Sequence, residues 1–181
     1  SLGLHLDLGE WRFEDGGWLP NYERAPLGDA WLLEAEVTAQ LERFVSIVGR
    51  KPTHLDSHQH AHHNEPLRSV VLAKAAQLGV PVRHFTPSIR YLGDFYGQDE
   101  VGNSYPERVS AEFLRAVVGT ITEGITELCC HPALIVDFEG AYASERVAEM
   151  NALCTADVLS DVQDLGIELI SFEAVATQPQ A

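Results

Sequence analysis

The chain has 181 residues, of which 45% are hydrophobic and 22% are charged, as in an ordinary globular domain. Its 27 acidic residues outnumber the 12 basic ones, giving a net charge of −15. This balance argues against nucleic acid or an anionic membrane as a partner, because both require a basic face. No apolar run approaches the roughly 18 residues of a spanning helix. Three cysteines, an odd count, do not predict a disulfide framework, so a reduced, cytoplasmic setting is expected.

The first part of the chain predicts a strand, a long loop and a helix. Leucines alternate with small or polar residues over Leu2–Leu8, which is the period of a strand and places His5 on its polar face. Residues 10–26 are rich in Gly, Pro, Trp and acidic residues and predict a loop. Apolar residues at helical spacing then predict a helix that Asp29 caps and Gly49 ends.

The stretch Thr53–His63 contains five of the eight histidines and an aspartate. In an extended strand, side chains two residues apart share a face. This predicts a common face for four groups: His54, Asp56, His58 and His60. Imidazole and carboxylate ligate transition metals and also act as general acids and bases. A solvated histidine loop is the alternative.

The second part of the chain continues the alternation of helices and strands. The predicted elements are a helix over 64–79, a strand over 80–84, a loop over 85–105, a helix over 106–118, a strand over 125–130, a helix over 144–165 and a strand over 168–172. Regular strand–helix alternation implies parallel pairing through right-handed crossovers. The sequence therefore predicts an α/β sheet or barrel.

Titratable residues recur where the predicted strands end. In parallel α/β folds the working groups gather at the carboxyl ends of the strands. His5, His58, Arg83 and His131 are at or near such ends, so we expect them to share a site.

Each of these residues also has a structural interpretation. His5 could be a core histidine, Arg83 could pair with one of the many carboxylates, and His131 before a proline could simply end a strand. Cysteines in a buried strand are usually inert, so neither cysteine at 129–130 is expected to be a nucleophile. Helical spacing predicts an exposed ion-pair face for three further residues: Glu145, Arg146 and Glu149.

Several blocks of the sequence resemble the YdjC-like carbohydrate deacetylases, from the first residue to about Phe172. They are Gly3-Leu4-His5-Leu6-Asp7-Leu8, Lys51-Pro52-Thr53-His54-Leu55-Asp56-Ser57-His58-Gln59-His60-Ala61-His62, Phe95-Tyr96-Gly97, Glu127-Leu128-Cys129-Cys130-His131-Pro132, and Arg146 with Glu149. The His-Leu-Asp-Ser-His block with the Lys-Pro-Thr before it is the specific part. The resemblance implies a distorted (β/α) barrel of the glycoside hydrolase/deacetylase type, a divalent metal and removal of an N-acetyl group from an amino sugar.

The resemblance also implies roles for individual residues. His5 and His58 match the two histidine metal ligands, His131 matches the histidine that assists the leaving amine, and Asp56 takes the place of a carboxylate that supports catalysis. The family's Asp-Asp-Phe-Gly block, which supplies a third ligand and a base, has no counterpart in this sequence. We therefore expect a single deacetylase-like domain over residues 1–181 that lacks its N-terminal strand and helix, with residues 174–181 as a flexible tail.

The expected function is metal-dependent removal of N-acetyl groups from amino sugars or chitooligosaccharide-like oligomers. Arg83, Tyr96 and Trp18 are the predicted substrate-binding residues, because cations and aromatic rings suit sugar recognition. The resemblance favours Mg²⁺, with Zn²⁺ or another transition metal as the alternative. An N-acetylated sugar is the expected partner, and a homodimer is left open. The alternatives are a hydrolase of another acetylated or lipid-linked sugar and a non-catalytic metal- or sugar-binding protein.

Overall fold

A computed structural model of the chain describes residues 1–136 and 142–175. The elements are β1 (Leu4–Leu6), β2 (Gly9–Glu14), β3 (Gly17–Glu23), α1 (Ala30–Val48), β4 (Leu55–Ser57), α2 (Leu67–Leu78), β5 (Ile89–Leu92), α3 (Ala111–Val118), β6 (Ile125–Leu128), α4 (Ala143–Leu153), α5 (Ala156–Asp164) and α6 (Phe172–Val175). Two 3-10 segments cover His58–His63 and Pro106–Val109. The chain divides into two compact units, residues 1–87 with the segment from 170 onward, and residues 88–169.

The first unit is organised around a short parallel sheet. β1 pairs with β4 in parallel, so that His5 lies opposite Asp56. An isolated parallel bridge between Leu55 and Val82 extends this sheet on the other side of β4. Apolar residues of β1, β4, α1 and α2 form its core, including the fully buried Leu6, Leu33, Leu55 and Val71. The core of this unit therefore supports the strands β1 and β4, whose carboxyl ends carry the predicted site residues.

The second unit contains another parallel pair with its own core. β5 pairs with β6 in parallel, with Ile89 opposite Ile125. Its core includes Phe95 and Leu114, both with no exposed surface, and residues of α4 and α5. The chain leaves β6 at Leu128 and reaches His131 three residues later.

Helix α1 follows the sequence-based expectation. The carboxylate of Asp29 accepts hydrogen bonds from the backbone N–H groups of Trp31 and Leu32 at 3.0 and 3.1 Å. Gly49 closes the helix in the left-handed conformation, at φ 76°. Such an N-cap stabilises a helix by about 1 kcal/mol.

The predicted loop over residues 10–26 is instead largely a β-hairpin, so this prediction is wrong. β2 and β3 pair antiparallel around Asp15 and Gly16, which have φ values of 52° and 80°. Two consecutive positive φ values are typical of a type I′ turn, for which Asp-Gly is a preferred pair. This signal was present, but the glycines and tryptophans around it resemble loop composition.

Other predicted elements also differ from the structure. The predicted loop over 85–105 contains the strand β5. The strand over 80–84 is reduced to the single bridge at Val82. The helix over 144–165 is interrupted between α4 and α5, where Thr155 is extended at ψ 132°. The last strand over 168–172 is absent among the described residues, and α6 begins at Phe172. The predicted flexible tail starts inside α6, and its residues 176–181 lie outside the described part of the chain.

The fold is mixed α/β, as the alternation of elements predicts. The described residues form three two-stranded sheets and no closed barrel. The single domain stays a prediction, since each unit has a core of its own. Within the described ranges, no helix has both the length and the apolar character needed to cross a membrane.

Candidate active site

The parallel register of β1 and β4 brings His5 against Asp56. His5 Nδ1 lies 3.0 Å from the Asp56 carboxylate, and Arg83 Nη1 donates to the same oxygen. Asp56 is only 6% exposed, whereas about half of the His5 side chain is in solvent. The predicted convergence of strand-end groups is therefore present in this unit, with Arg83 as an ion-pair partner of Asp56.

The environment of Asp56 keeps it ionised. Burial alone raises the pKa of a carboxyl group, but the hydrogen bond from His5 and the positive charge of Arg83 outweigh it, so the pKa of Asp56 is lowered. An ionised carboxylate only accepts hydrogen bonds, so the proton of neutral His5 lies on Nδ1. The lone pair of His5 is therefore on Nε2, the tautomer found where a carboxylate orients a metal-ligating histidine.

His58 lies next to His5. Their ring centroids are 5.8 Å apart, with the rings nearly perpendicular. His58 opens the 3-10 segment directly after β4, so the strand end positions both His58 and Asp56. The structure therefore brings together three predicted site residues: His5, Asp56 and His58.

The other histidines of the run do not continue the strand face, so that part of the prediction is wrong. The chain turns after Ser57, and Gln59 and His60 have left-handed φ values of 47° and 52°. His54 instead stacks on Phe172, with 3.8 Å between ring centroids. Strand periodicity fails here because β4 contains only three residues.

His62 is a structural histidine with both ring nitrogens engaged. Its Nε2 donates to the Arg83 carbonyl at 3.2 Å, and its Nδ1 accepts from the Ser57 hydroxyl at 2.6 Å. The Ser57 oxygen in turn accepts the backbone N–H of His62. Burial lowers the pKa of His62 to about 4, which keeps the ring neutral. His62 therefore connects the segment His58–His63, here called the histidine turn, to the backbone at Arg83.

A second group of histidines forms beside this link. One ligand atom from each of His60, His63 and His84 lies within 4.8 Å of the others, a spacing that could hold a metal ion. Burial, followed by the neighbouring histidines, lowers the pKa of His60 to about 3 and that of His84 to about 4. The sequence pattern predicts His60 on the strand face with His58, and His84 only at the end of the predicted strand over 80–84.

In the second unit, His131 contacts a buried acidic network. The carboxylate of Glu149 accepts hydrogen bonds from the His131 backbone N–H and from the Tyr142 hydroxyl. His131 Nδ1 is 4.0 Å from Glu149 Oε1, and Tyr142 also accepts the backbone N–H of Gly97 at 2.7 Å. His131 therefore lies against a fixed carboxylate.

The prediction of an exposed ion-pair face on α4 is wrong. Glu145 and Glu149 are 6% and 0% exposed and lie on the buried face of the helix with Ala152. Burial raises the pKa of Glu149, and its hydrogen bonds only partly offset this. Charge spacing alone could not distinguish an inward face from a solvated one. The pairing of Glu149 with Arg146 among the motif blocks was the signal available.

The aromatic candidates lie in different surroundings. Tyr96 stacks on Tyr142 with 4.6 Å between ring centroids and meets His131 edge-on at 5.5 Å. Trp18 is 53% exposed on β3 and packs edge-to-face against Phe13. Tyr96 is thus adjacent to a predicted catalytic residue of its own unit, and Trp18 is a surface aromatic of the hairpin.

Comparison with known proteins identifies the family. The model of the family described as YdjC-like protein matches residues 1–164. The chain belongs to the YdjC-like family. A chitooligosaccharide deacetylase of Citrobacter koseri is 30% identical over 175 residues, covering 91% of this chain and 67% of that protein. One of Klebsiella pneumoniae is 31% identical and covers 93% of this chain and 68% of its own length.

Two further similarities support this assignment. A carbohydrate deacetylase of Geobacillus stearothermophilus is 30% identical, covering 77% of this chain and 58% of that protein. A crystal structure of an Enterococcus faecalis protein, described as a candidate cellobiose-phosphate cleavage protein, superposes with a TM-score of 0.69 at 25% identity, covering 97% of this chain and 77% of the other. The expected enzyme class, a carbohydrate deacetylase, is confirmed at the level of the family, although the chain spans only about three-fifths to two-thirds of these deacetylases.

Proposed function

We propose that this YdjC-like chain is a metal-dependent hydrolase that removes N-acetyl groups from amino sugars or chitooligosaccharide-like oligomers. The observation that carries the proposal is the group formed by His5, Asp56 and His58 at the ends of β1 and β4. Two imidazoles beside a buried carboxylate are a donor set suited to a divalent cation. Family membership supplies the reaction class, and the names of the relatives suggest the substrate class.

The contact between His5 and Asp56 supports a metal-ligand role for His5. Asp56 holds the Nδ1 proton of His5 and so directs the Nε2 lone pair outward. His5 and His58 would hold the ion, and Asp56 would orient His5. The catalytic role that the sequence predicts for Asp56 stays part of the proposal. A bound divalent ion supplies Lewis acidity that polarises an amide carbonyl and acidifies water. Mg²⁺ is proposed by resemblance, although two imidazoles also suit Zn²⁺.

His131 is the proposed proton donor. In the reaction, water adds its oxygen to the acetyl carbon, the C–N bond breaks and a proton passes to the departing amine, giving acetate and a free amino sugar. His131 has an imidazole that is about one-third exposed next to the buried Glu149. Its Nδ1 lies 4.0 Å from Glu149 Oε1, so the buried acidic side chain faces the imidazole that is proposed to donate the proton.

The remaining predicted residues are proposed either to bind the substrate or to support the site. Tyr96 and Trp18 offer ring faces on which a sugar can stack, whereas Arg83 is assigned mainly to holding Asp56. A distorted (β/α) barrel, a single domain, a cytoplasmic setting and a homodimer remain part of the proposal by resemblance or expectation alone.

Acetate release from N-acetylglucosamine oligomers tests the proposal. We expect the wild-type chain to release acetate, His58→Ala to lose both activity and one bound metal ion, and His131→Ala to lose activity while keeping the metal. His63→Ala removes an exposed histidine of the same run and serves as the matched control for acetate release alone, because His63 also belongs to the separate group of His60, His63 and His84. Full activity in His58→Ala contradicts the assignment. Metal binding without turnover of any acetylated sugar favours the non-catalytic alternative, and turnover only of lipid-linked sugars favours the other hydrolase.

A further inference from the structure

We propose that His60, His63 and His84 form a second binding site, for a transition-metal ion of the Zn²⁺ class. This site uses none of the side chains assigned to catalysis, and it does not depend on the deacetylase assignment. One ligand atom from each of the three histidines lies within 4.8 Å of the other two. The ring centroids are 5.3 Å apart for His60 and His63, 5.1 Å for His60 and His84, and 4.3 Å for His63 and His84.

The spacing is close to that of a three-histidine zinc site. With Zn–N bonds of 2.0–2.1 Å and tetrahedral angles, ligand nitrogens lie about 3.3 Å apart. Each nitrogen therefore needs to move inward by little more than about 1 Å, which small side-chain rotations supply. Imidazole nitrogens select Zn²⁺, Cu²⁺, Ni²⁺ and Co²⁺ over Mg²⁺, which prefers oxygen ligands.

The backbone already holds the two ligand-bearing segments together. His62 lies next to His63 and donates to the carbonyl of Arg83, which lies next to His84. Its other ring nitrogen is held by Ser57 at the end of β4. The link made by His62 therefore fixes the approach of His63 to His84 before any ion arrives.

Two of the three histidines also have unusual backbone conformations. His60 and His84 have φ values of 52° and 67°, in the left-handed region that non-glycine residues seldom occupy. Such conformations cost free energy and concentrate at binding sites, where the surrounding structure determines them. Here they place the imidazoles of two separate turns against one another.

The charges around the cluster permit a cation. The nearby cations are Arg83 and Arg68, and each has a carboxylate partner, Asp56 for the former and Glu65 at 2.6 Å for the latter. His63 and His84 are exposed and His60 is partly buried, so an ion can reach the site from solvent. A bound ion would crosslink the histidine turn to the turn that follows Val82.

Zinc binding by the full chain tests this inference in a variant that lacks the proposed catalytic site. In His5→Ala/His58→Ala we expect one equivalent of Zn²⁺ by equilibrium dialysis, and a Co²⁺ adduct with the intense visible bands of tetrahedral coordination. Adding His63→Gln and His84→Asn should weaken Zn²⁺ binding by more than about 100-fold, since even an outer-shell partner contributes about 10–100-fold. Asn tolerates the left-handed backbone at position 84, so the fold is preserved.

His131→Ala in the same background is the matched control and should keep the full equivalent. Excess Mg²⁺ should not displace the zinc. The inference is overturned if His5→Ala/His58→Ala binds no Zn²⁺, or if the added substitutions leave the affinity unchanged while circular dichroism shows an intact fold. Unchanged binding in the quadruple variant would place any bound zinc elsewhere on the chain.

Discussion

The ion pair of Asp56 with Arg83 should stabilise the fold, whereas the hydrogen bond from His5 to Asp56 should control metal affinity. The side chains of Asp56 and Arg83 are 8% and 12% exposed. Removing one partner of a buried pair costs about 3–5 kcal/mol. We expect Arg83→Met to lower the unfolding free energy by about 3 kcal/mol, the low end of this range, because the carboxylate keeps the hydrogen bond from His5. Asp56→Ala leaves the guanidinium without its counter-charge and should cost a similar amount.

The two variants should differ in metal binding. Asp56→Ala removes the group that orients His5, and loss of such an outer-shell partner weakens metal binding by about 10–100-fold. Arg83→Met leaves the contact between His5 and Asp56 in place, so its affinity should stay near that of the parent.

Denaturant unfolding gives the stabilities, and calorimetric titration with Zn²⁺ gives the affinities, both in a His63→Gln/His84→Asn background that removes the second proposed site. A native domain has about 5–15 kcal/mol of stability, so both variants should remain folded enough to titrate. If Arg83→Met weakens metal binding as much as Asp56→Ala, Asp56 acts through the fold and not through the orientation of His5.

Three further predictions concern the buried polar groups. Glu149→Ala leaves the buried Tyr142 hydroxyl and the partly buried His131 backbone N–H without their acceptor, at about 1–3 kcal/mol each. It should destabilise the chain in thermal unfolding far more than Glu149→Gln, and equal losses would contradict the network. The raised pKa of Glu149 means that its contribution is fully present below the ordinary value of 4.5 and is lost as the pH rises through the folded value. Glu149→Gln should therefore flatten the pH dependence of the unfolding free energy between these two values. Ser57→Ala removes the hydroxyl that holds His62 and should cost about 1–3 kcal/mol by denaturant unfolding, whereas Ser69→Ala, on the half-exposed α2, should cost much less.

Local signals predicted the helices and the candidate site better than the sheets. Helix α1 was predictable with both ends because Asp29 and Gly49 act through their own neighbours in sequence. The grouping of His5 with Asp56 was also accessible, since parallel strands bring their carboxyl ends to one edge. The hairpin of β2 and β3 was missed although Asp15-Gly16 encodes its turn.

The features that sequence could not reveal depend on contacts between distant segments. His62 resembles its neighbours in the run, yet its structural role depends on a hydrogen bond to Arg83, 21 residues away. Glu149 has the spacing of a surface charge, and only the packing of Tyr142 and the backbone of His131 make it a buried acceptor. A histidine run therefore predicts metal chemistry in general, whereas tertiary hydrogen bonds decide which imidazoles remain suited to bind an ion. In this chain the contact with Asp56 sets the tautomer of His5, whereas the hydrogen bonds with Ser57 and Arg83 occupy both ring nitrogens of His62.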